Sequence, residues 1–203
     1  MGGHPVLDEP LLLAHVAAGD EEALHQLYRA YCPRLRRYLW HQLDGDLSRV
    51  EEALQDIFLA IWRTAGGYRG DARVSTWVYQ IAHYVALGAR RRLARHPDHL
   101  PLETLEDGEA SEGEWNLADT VADNAVGEDA VLDRLALDDA LGRLSAKHRE
   151  VLTLIFQYGF SLHEVARILD VPAGTVKSRV SYARKALLRA LSTVPAEELR
   201  HDA

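Results

Sequence analysis

Apolar residues recur at three- and four-residue spacing through most of the chain, the period of helices with one buried face. Such a stripe predicts helices over 10–18 and 21–43, the second carrying Leu24, Leu27, Tyr31, Leu35 and Leu39. Asp20 is placed to cap that second helix, and Pro33 is expected to stress or kink it. Asp44-Gly45-Asp46 marks a turn. A third helix then runs over 47–64 and ends at Gly66-Gly67. A polar loop over 68–74 leads to Ser75, the expected cap of a helix over 76–93. Further helices are predicted near 129–143, 146–158, 161–169 and 174–192. No β alternation and no tandem repeat is visible. The expected fold is all-α: two small helical domains, 1–95 and 134–203, joined by a flexible acidic linker over 96–133.

Residues 161–191 read SLHEVARILDVPAGTVKSRVSYARKALLRAL. Ser161 followed by Glu164 is a capping box, which satisfies two orphan backbone donors at a helix start. Leu162, Val165, Ala166 and Leu169 form one apolar stripe. Asp170-Val171-Pro172-Ala173-Gly174 breaks the helix, Val171 can plug the gap between the helices, and Gly174 or Thr175 can start the next. Two short helices crossing through a tight turn make a helix-turn-helix, whose second helix enters the major groove of DNA. Projected at about 100° per residue, Val176, Val180, Ala183 and Leu187 share one face. Ser178, Ser181, Tyr182, Lys185 and Arg189 lie opposite, with Lys177, Arg179 and Arg184 flanking. No acid occurs between Asp170 and Glu197. Hydroxyls and cations suit phosphate contacts and hydrogen bonds to base edges. A solvated basic helix face has the same composition. The coincidence of cap, turn, stripe and acid-free face favours duplex reading by Thr175, Lys177, Ser178, Arg179, Ser181, Tyr182, Arg184 and Lys185.

The 203 residues carry a net charge of −8, which argues against a nucleic-acid partner until its distribution is examined. Residues 1–95 hold 12 basic and 11 acidic side chains, residues 96–133 hold 12 acids and no Lys or Arg, and residues 134–203 hold 11 basic and 8 acidic. All the excess negative charge therefore sits in the linker, and the total says little about either domain. The linker reads as a solvated tether or as an acidic strand lying in a basic channel. Cys32 is the single cysteine, so no internal disulfide exists and a reducing cytoplasm is expected. The first 24 residues lack a basic region before their short apolar run, unlike a signal peptide.

Two further surfaces stand out in the first domain. In the helix over 50–63, Leu54, Ile57, Phe58 and Ile61 form the core stripe. Glu52, Asp56, Leu59 and Arg63 lie on the far side, with Gln55 and Trp62 at the boundary. A Leu between carboxylates is either a partner-binding face or an incidental exposed residue. In the helix over 76–93, Trp77, Val78, Ile81, Val85 and Gly88 are expected to point inward, and Thr76, Tyr79, Gln80, His83 and Arg90 outward. The loop before it offers Tyr68, Arg69, Gly70 and Arg73. Aromatics beside cations suit single-stranded DNA, where bases stack on rings and cations hold phosphates. The other reading is an aromatic core with a basic helix end that complements the helix dipole.

In this order and at this separation, VEEALQDIFLAIWR at 50–63, YRGDARVSTWVYQIAHYVALGARRR at 68–92 and GTVKSRVSYARKAL at 174–187 resemble the extracytoplasmic-function (ECF) class of bacterial sigma factors. The resemblance covers most of the chain outside the linker. It implies docking on core RNA polymerase through Glu52, Gln55, Asp56, Leu59, Trp62 and Arg63. It implies capture of the unpaired −10 promoter strand by Tyr68, Arg69, Gly70, Arg73, Thr76, Trp77, Tyr79, Gln80, His83 and Arg90. The helix-turn-helix would read the −35 duplex, and an anti-sigma factor would be a further partner. A stand-alone helix-turn-helix regulator with a sensing or dimerising first domain explains 161–191 equally well, but not the other two blocks. His96 and His99 are a weak metal pair with no Cys nearby, and no phosphate-binding Gly loop or catalytic constellation is recognisable. Neither an enzyme nor a cofactor is expected.

Overall fold

Local capping sets the first three helices of the computed structural model, which describes residues 8–94 and 144–192. The Asp8 carboxylate accepts from the Leu11 amide at 3.1 Å and opens α1 (Glu9–Ala17). Asp20 accepts from Ala23 at 3.1 Å and opens α2 (Glu21–Gln42), and Asp46 accepts from Arg49 at 3.2 Å and opens α3 (Leu47–Thr64). Each cap satisfies an amide that a helix start leaves unpaired. The α2 helix runs through Pro33 without a break, against expectation. Pro33 is on the exposed side, while Tyr31, Cys32, Leu35, Tyr38 and Leu39 are buried around it. The missing hydrogen bond therefore falls where water can serve the orphan carbonyl, and packing holds the helix.

Asp44 and Gly45 both adopt positive φ, 53° and 73°, in the turn between α2 and α3. The positive φ favours glycine at Gly45, and a Cβ there would lie 3.1 Å from the exposed Trp40 ring and press it aside. A short 3-10 turn (Ala65–Gly67) and the polar loop lead to α4 (Val74–Ala94). That helix starts earlier than Ser75 capping predicts. The Trp77 amide bonds to the Arg73 carbonyl at 3.1 Å, and Val74 is already in the core.

Among the described residues, the first helix of the second domain is α5 (Ala146–Leu152), which widens into a π-helical turn (Thr153–Gln157) instead of continuing as the α-helix expected to residue 158. The capping box opens α6 (Leu162–Leu169): the Glu164 amide donates to Ser161 Oγ at 3.3 Å and the Ser161 amide donates to Glu164 Oε2 at 2.9 Å. Asp170 closes it in the left-handed conformation, φ 52°, and the Val171 amide reaches back to the Ala166 carbonyl at 3.0 Å. α7 (Ala173–Ser192) follows at once. The expected linker, the helix near 129–143 and the His96/His99 pair lie outside the described residues. All regular structure among the described residues is helical.

The two domains pack together: α4 lies against α3 on one side and against α6 on the other, and α2 touches α5.

Candidate functional site

The far side of α3 is open. Glu52, Gln55 and Arg63 are exposed, and Asp56 and Trp62 are half-buried. Leu59 keeps 45% of its surface in solvent, while Leu54, Ile57, Phe58 and Ile61 are buried beneath it. Arg92 from the end of α4 lies 3.8 Å from Asp56 and 3.9 Å from Glu52. An exposed apolar side chain that shares its face with Glu52 and Asp56, on a helix anchored from behind, can dock a partner helix without refolding.

The loop before α4 is built around Tyr68, whose hydroxyl donates to the Ala72 carbonyl at 2.6 Å and whose ring meets Trp77 edge-on at 5.8 Å. Arg69, Gly70 and Arg73 are exposed, and Tyr68 and Trp77 are half-buried. The outer side of α4 corrects the sequence expectation. Thr76, Tyr79 and His83 were expected to face outward but are 1%, 0% and 8% exposed. Gln80 and Arg90 are half-buried. Val78, Ala82 and Ala86 face the first domain's own core, and the second domain covers the adjoining arc. Both sides of the helix are therefore buried, where the polar character of one had implied solvent.

That cover is polar and aromatic. Glu150 of α5 is 3% exposed, accepts from the Tyr38 hydroxyl and contacts His83 Nδ1 at 2.8 Å, with Arg90 at 3.9 Å. Burial and the Glu150 carboxylate push the Tyr38 hydroxyl well above the usual tyrosine range, which keeps it a donor. Tyr79 meets Tyr158 and Phe160 with ring centroids at 5.0 Å each. Tyr84 donates to Asp170 at 2.8 Å, and Arg167 donates to the Asp71 carbonyl. Glu164 accepts from Thr76 at 3.3 Å and pairs with Arg73 at 3.4 Å.

Burial alone would raise the Glu164 carboxyl, but hydrogen bonds from Ser161, the Arg73 charge and the Thr76 hydroxyl outweigh it and hold the group below its ordinary value. A carboxyl depressed on folding adds stability above its unfolded value, 4.5, and loses it as pH falls through the lower folded value. Thermal unfolding followed from neutrality to well below 4.5 is expected to show less acid sensitivity in Glu164→Gln than in the native chain. Identical acid profiles would show that this carboxylate gains nothing from folding.

The helix-turn-helix presents its second helix outward. Val176, Val180 and Ala183 are buried, whereas Lys177, Arg184 and Lys185 are exposed. Tyr182 is 47% exposed and stacks on His148 at 4.5 Å, with ring planes 25° apart. Thr175, Ser178, Arg179 and Ser181 are half-buried, and Ser178 donates back to the Thr175 carbonyl at 3.0 Å.

Sequence reasoning missed Glu150, Tyr158, Arg167, Asp170 and Tyr84 as a set. Their partners lie 67 to 124 residues away, and no local spacing announces such pairs. Among the described residues, no group of three or more His, Cys, Asp or Glu could hold a metal, and no helix is long and apolar enough to cross a membrane.

Comparison with known proteins finds two family models along the chain. The Sigma-70 region 2 model matches residues 27–96, and the Sigma-70 region 4 model matches residues 134–187. The chain is 36% identical over 190 residues to the ECF RNA polymerase sigma factor SigM of Mycobacterium tuberculosis, covering 94% of this chain and 87% of that one. It is 28% identical to SigW of Bacillus subtilis, covering 88% and 94%. Among solved structures, the sigma factor RpoE in complex with the anti-sigma factor NepR from Bartonella quintana superposes with a TM-score of 0.59 at 25% identity, over 84% of this chain and 97% of that one. CnrH in complex with the cytosolic domain of CnrY shares the fold, with a TM-score of 0.62 at 21% identity, over 91% and 97%.

Proposed function

The chain belongs to the ECF RNA polymerase sigma factors, which direct promoter-specific initiation of transcription, and from that premise we propose how its residues divide the work. Residues 1–95 form the part that docks on core polymerase and melts the promoter. Residues 96–133 tether it, and residues 134–203 read the −35 duplex. Glu52, Gln55, Asp56, Leu59, Trp62 and Arg63 meet the polymerase. The observation that carries this is the half-exposed Leu59, held among carboxylates on a helix whose opposite face is fully anchored.

Tyr68, Arg69, Gly70, Arg73, Thr76, Trp77, Tyr79, Gln80, His83 and Arg90 take the unpaired −10 strand. Cations would hold its phosphates while rings and polar groups receive an unstacked base; extrusion costs a few kcal/mol and is offset by stacking and edge contacts. Thr175, Lys177, Ser178, Arg179, Ser181, Tyr182, Arg184 and Lys185 face the major groove. RNA synthesis belongs to the polymerase, and this subunit supplies address and melting. The site of action is the cytoplasm, and an anti-sigma factor is a partner, as in the RpoE and CnrH complexes. A stand-alone regulator would leave the region 2 match at 27–96 without a role.

Reconstituted transcription tests the reading. Purified chain added to core polymerase is expected to start RNA at a defined promoter. Absence of initiation, together with unaided binding to a palindromic duplex, would sink it.

A further inference from the structure

The outward side of α7 is supported by a neighbouring helix. Tyr182 keeps 47% of its surface in solvent there, and its ring is held from another element. The imidazole of His148, half-buried on α5, lies nearly parallel to it, with centroids 4.5 Å apart and ring planes 25° apart. His148 is itself fixed. Its Nδ1 is 2.8 Å from Ser145 Oγ, and Ser145 stands at the N-cap of α5 without a side-chain bond to the helix amides. A serine at that position ordinarily accepts from one of those amides. Here its hydroxyl serves the imidazole instead. α5 in turn packs on α7, with Val151, Leu154, Val176, Val180 and Ala183 buried. Ser145, His148 and Tyr182 therefore run in a line from the anchored start of α5 to the groove-facing side of α7.

We propose that His148 is a specificity-determining residue: by stacking on Tyr182 it holds that ring in one orientation across the groove-facing side of α7, and so sets how sharply one base pair of the −35 element is discriminated. This rests on the −35 reading of Tyr182 above. A long side chain on a helix has two common χ1 settings, and on an open face it can swing between them. A ring free to swing would move away from a wrong base pair and lose little. Stacking selects one setting, since flat rings in offset contact attract each other beyond their buried area. The held ring then meets the correct base edge without a further ordering cost, and it cannot yield to the wrong one. Its hydroxyl can both donate and accept, which suits a base edge. The cations beside it work differently. Lys177, Arg184 and Lys185 are exposed, and a phosphate contact carries no sequence information. His148 acts through Tyr182 and is a positioning residue, not a reader.

Polymerase assembled with each full-length chain, titrated onto promoter fragments that each differ at one −35 base pair, tests this. Tyr182→Ala identifies the base pair at which its ring discriminates. His148→Ala is expected to flatten preference at that same base pair by about fivefold or more, since a mismatched pair costs a specific reader about tenfold. The other −35 positions should keep the native preference. His148→Phe, which retains a flat ring, should restore discrimination. His148→Leu fills comparable space without a ring to stack, should behave as His148→Ala does, and stands in for it if a thermal melt shows that His148→Ala does not fold. In a Tyr182→Ala background, His148→Ala should change preference no further. An equal loss at every −35 position, or no rescue by His148→Phe, overturns the positioning role. So does an effect of His148→Ala that persists without Tyr182, because His148 would then touch DNA itself. If Tyr182→Ala flattens one base pair and His148→Ala leaves it sharp, the positioning is wrong and the −35 reading stands. If Tyr182→Ala changes no position, the reading of Tyr182 fails and the proposal fails with it.

Discussion

Asp56→Arg combined with Leu59→Ala is expected to weaken binding to core polymerase by at least about 100-fold, and to abolish transcription at ordinary concentrations, while leaving the fold intact. Truncating a central apolar anchor costs about 1–2 kcal/mol or more, and placing a like charge against a partner's cation costs about 2–5 kcal/mol. Their sum spans two or more factors of ten. The fold should tolerate the change. Leu59 is 45% exposed, and the Asp56 ion pair is with an Arg92 side chain that is 61% exposed. Exposed pairs contribute about 0–1 kcal/mol. The residues that anchor α3, Leu54, Ile57, Phe58 and Ile61, are untouched. Binding titrations with purified core polymerase, paired with a thermal melt of each chain, check both halves. Unchanged affinity in a folded variant would remove Asp56 and Leu59 from the docking face.

How much of this could be read from residues alone differs along the chain. The α3 helix spans 47–64 as its periodicity indicates, because its apolar stripe, its Asp46 cap and the Gly66-Gly67 stop all say the same thing. The Ser161 capping box and the Val171 position between α6 and α7 are equally local, and they appear in place. α4 was harder. Its sequence suggested an inward line of Trp77, Val78, Ile81, Val85 and Gly88; Val78 is fully buried, but the other four are half-buried, and the deepest positions include Ala82 and Ala86. Small residues mark a close helix approach that hydropathy does not reveal. On the neighbouring arc, Thr76 and His83 are buried by side chains more than sixty residues downstream. A face that meets a polar partner carries the composition of a face that meets water. Pro33 misled for a related reason: the rule against proline concerns the lost hydrogen bond, and on the solvent side of a packed helix that loss is small.

The second domain thus carries opposite chemistry on opposite sides. Glu150, Glu164 and Asp170 turn toward the first domain, and the acid-free stretch after Asp170 supplies the outward side of α7. One surface satisfies the cations and hydroxyls of α4 and its loop, and the other remains free for phosphates. A net charge of −8 therefore coexists with duplex recognition, because the charge that matters is local to each side.

Lys177→Ala, Arg184→Ala and Lys185→Ala together should expose that division by salt dependence. Each cation that neutralises a phosphate contributes about 0.9 to the slope of log affinity against log salt, so three removals lower the slope by about 2.7. Near physiological salt the same term is worth about 100-fold in promoter affinity. The three side chains are exposed, and Val176, Val180 and Ala183 hold the helix from behind, so the domain should stay folded. Titrating polymerase assembled with each chain onto a promoter fragment, at several salt concentrations, reads both quantities. Ser181→Ala and Tyr182→Ala provide the contrast. Their groups are uncharged, so they should alter preference among −35 sequences while leaving the salt slope in place. A triple variant whose slope equals that of the native chain would mean that α7 does not track the phosphate backbone with these three cations.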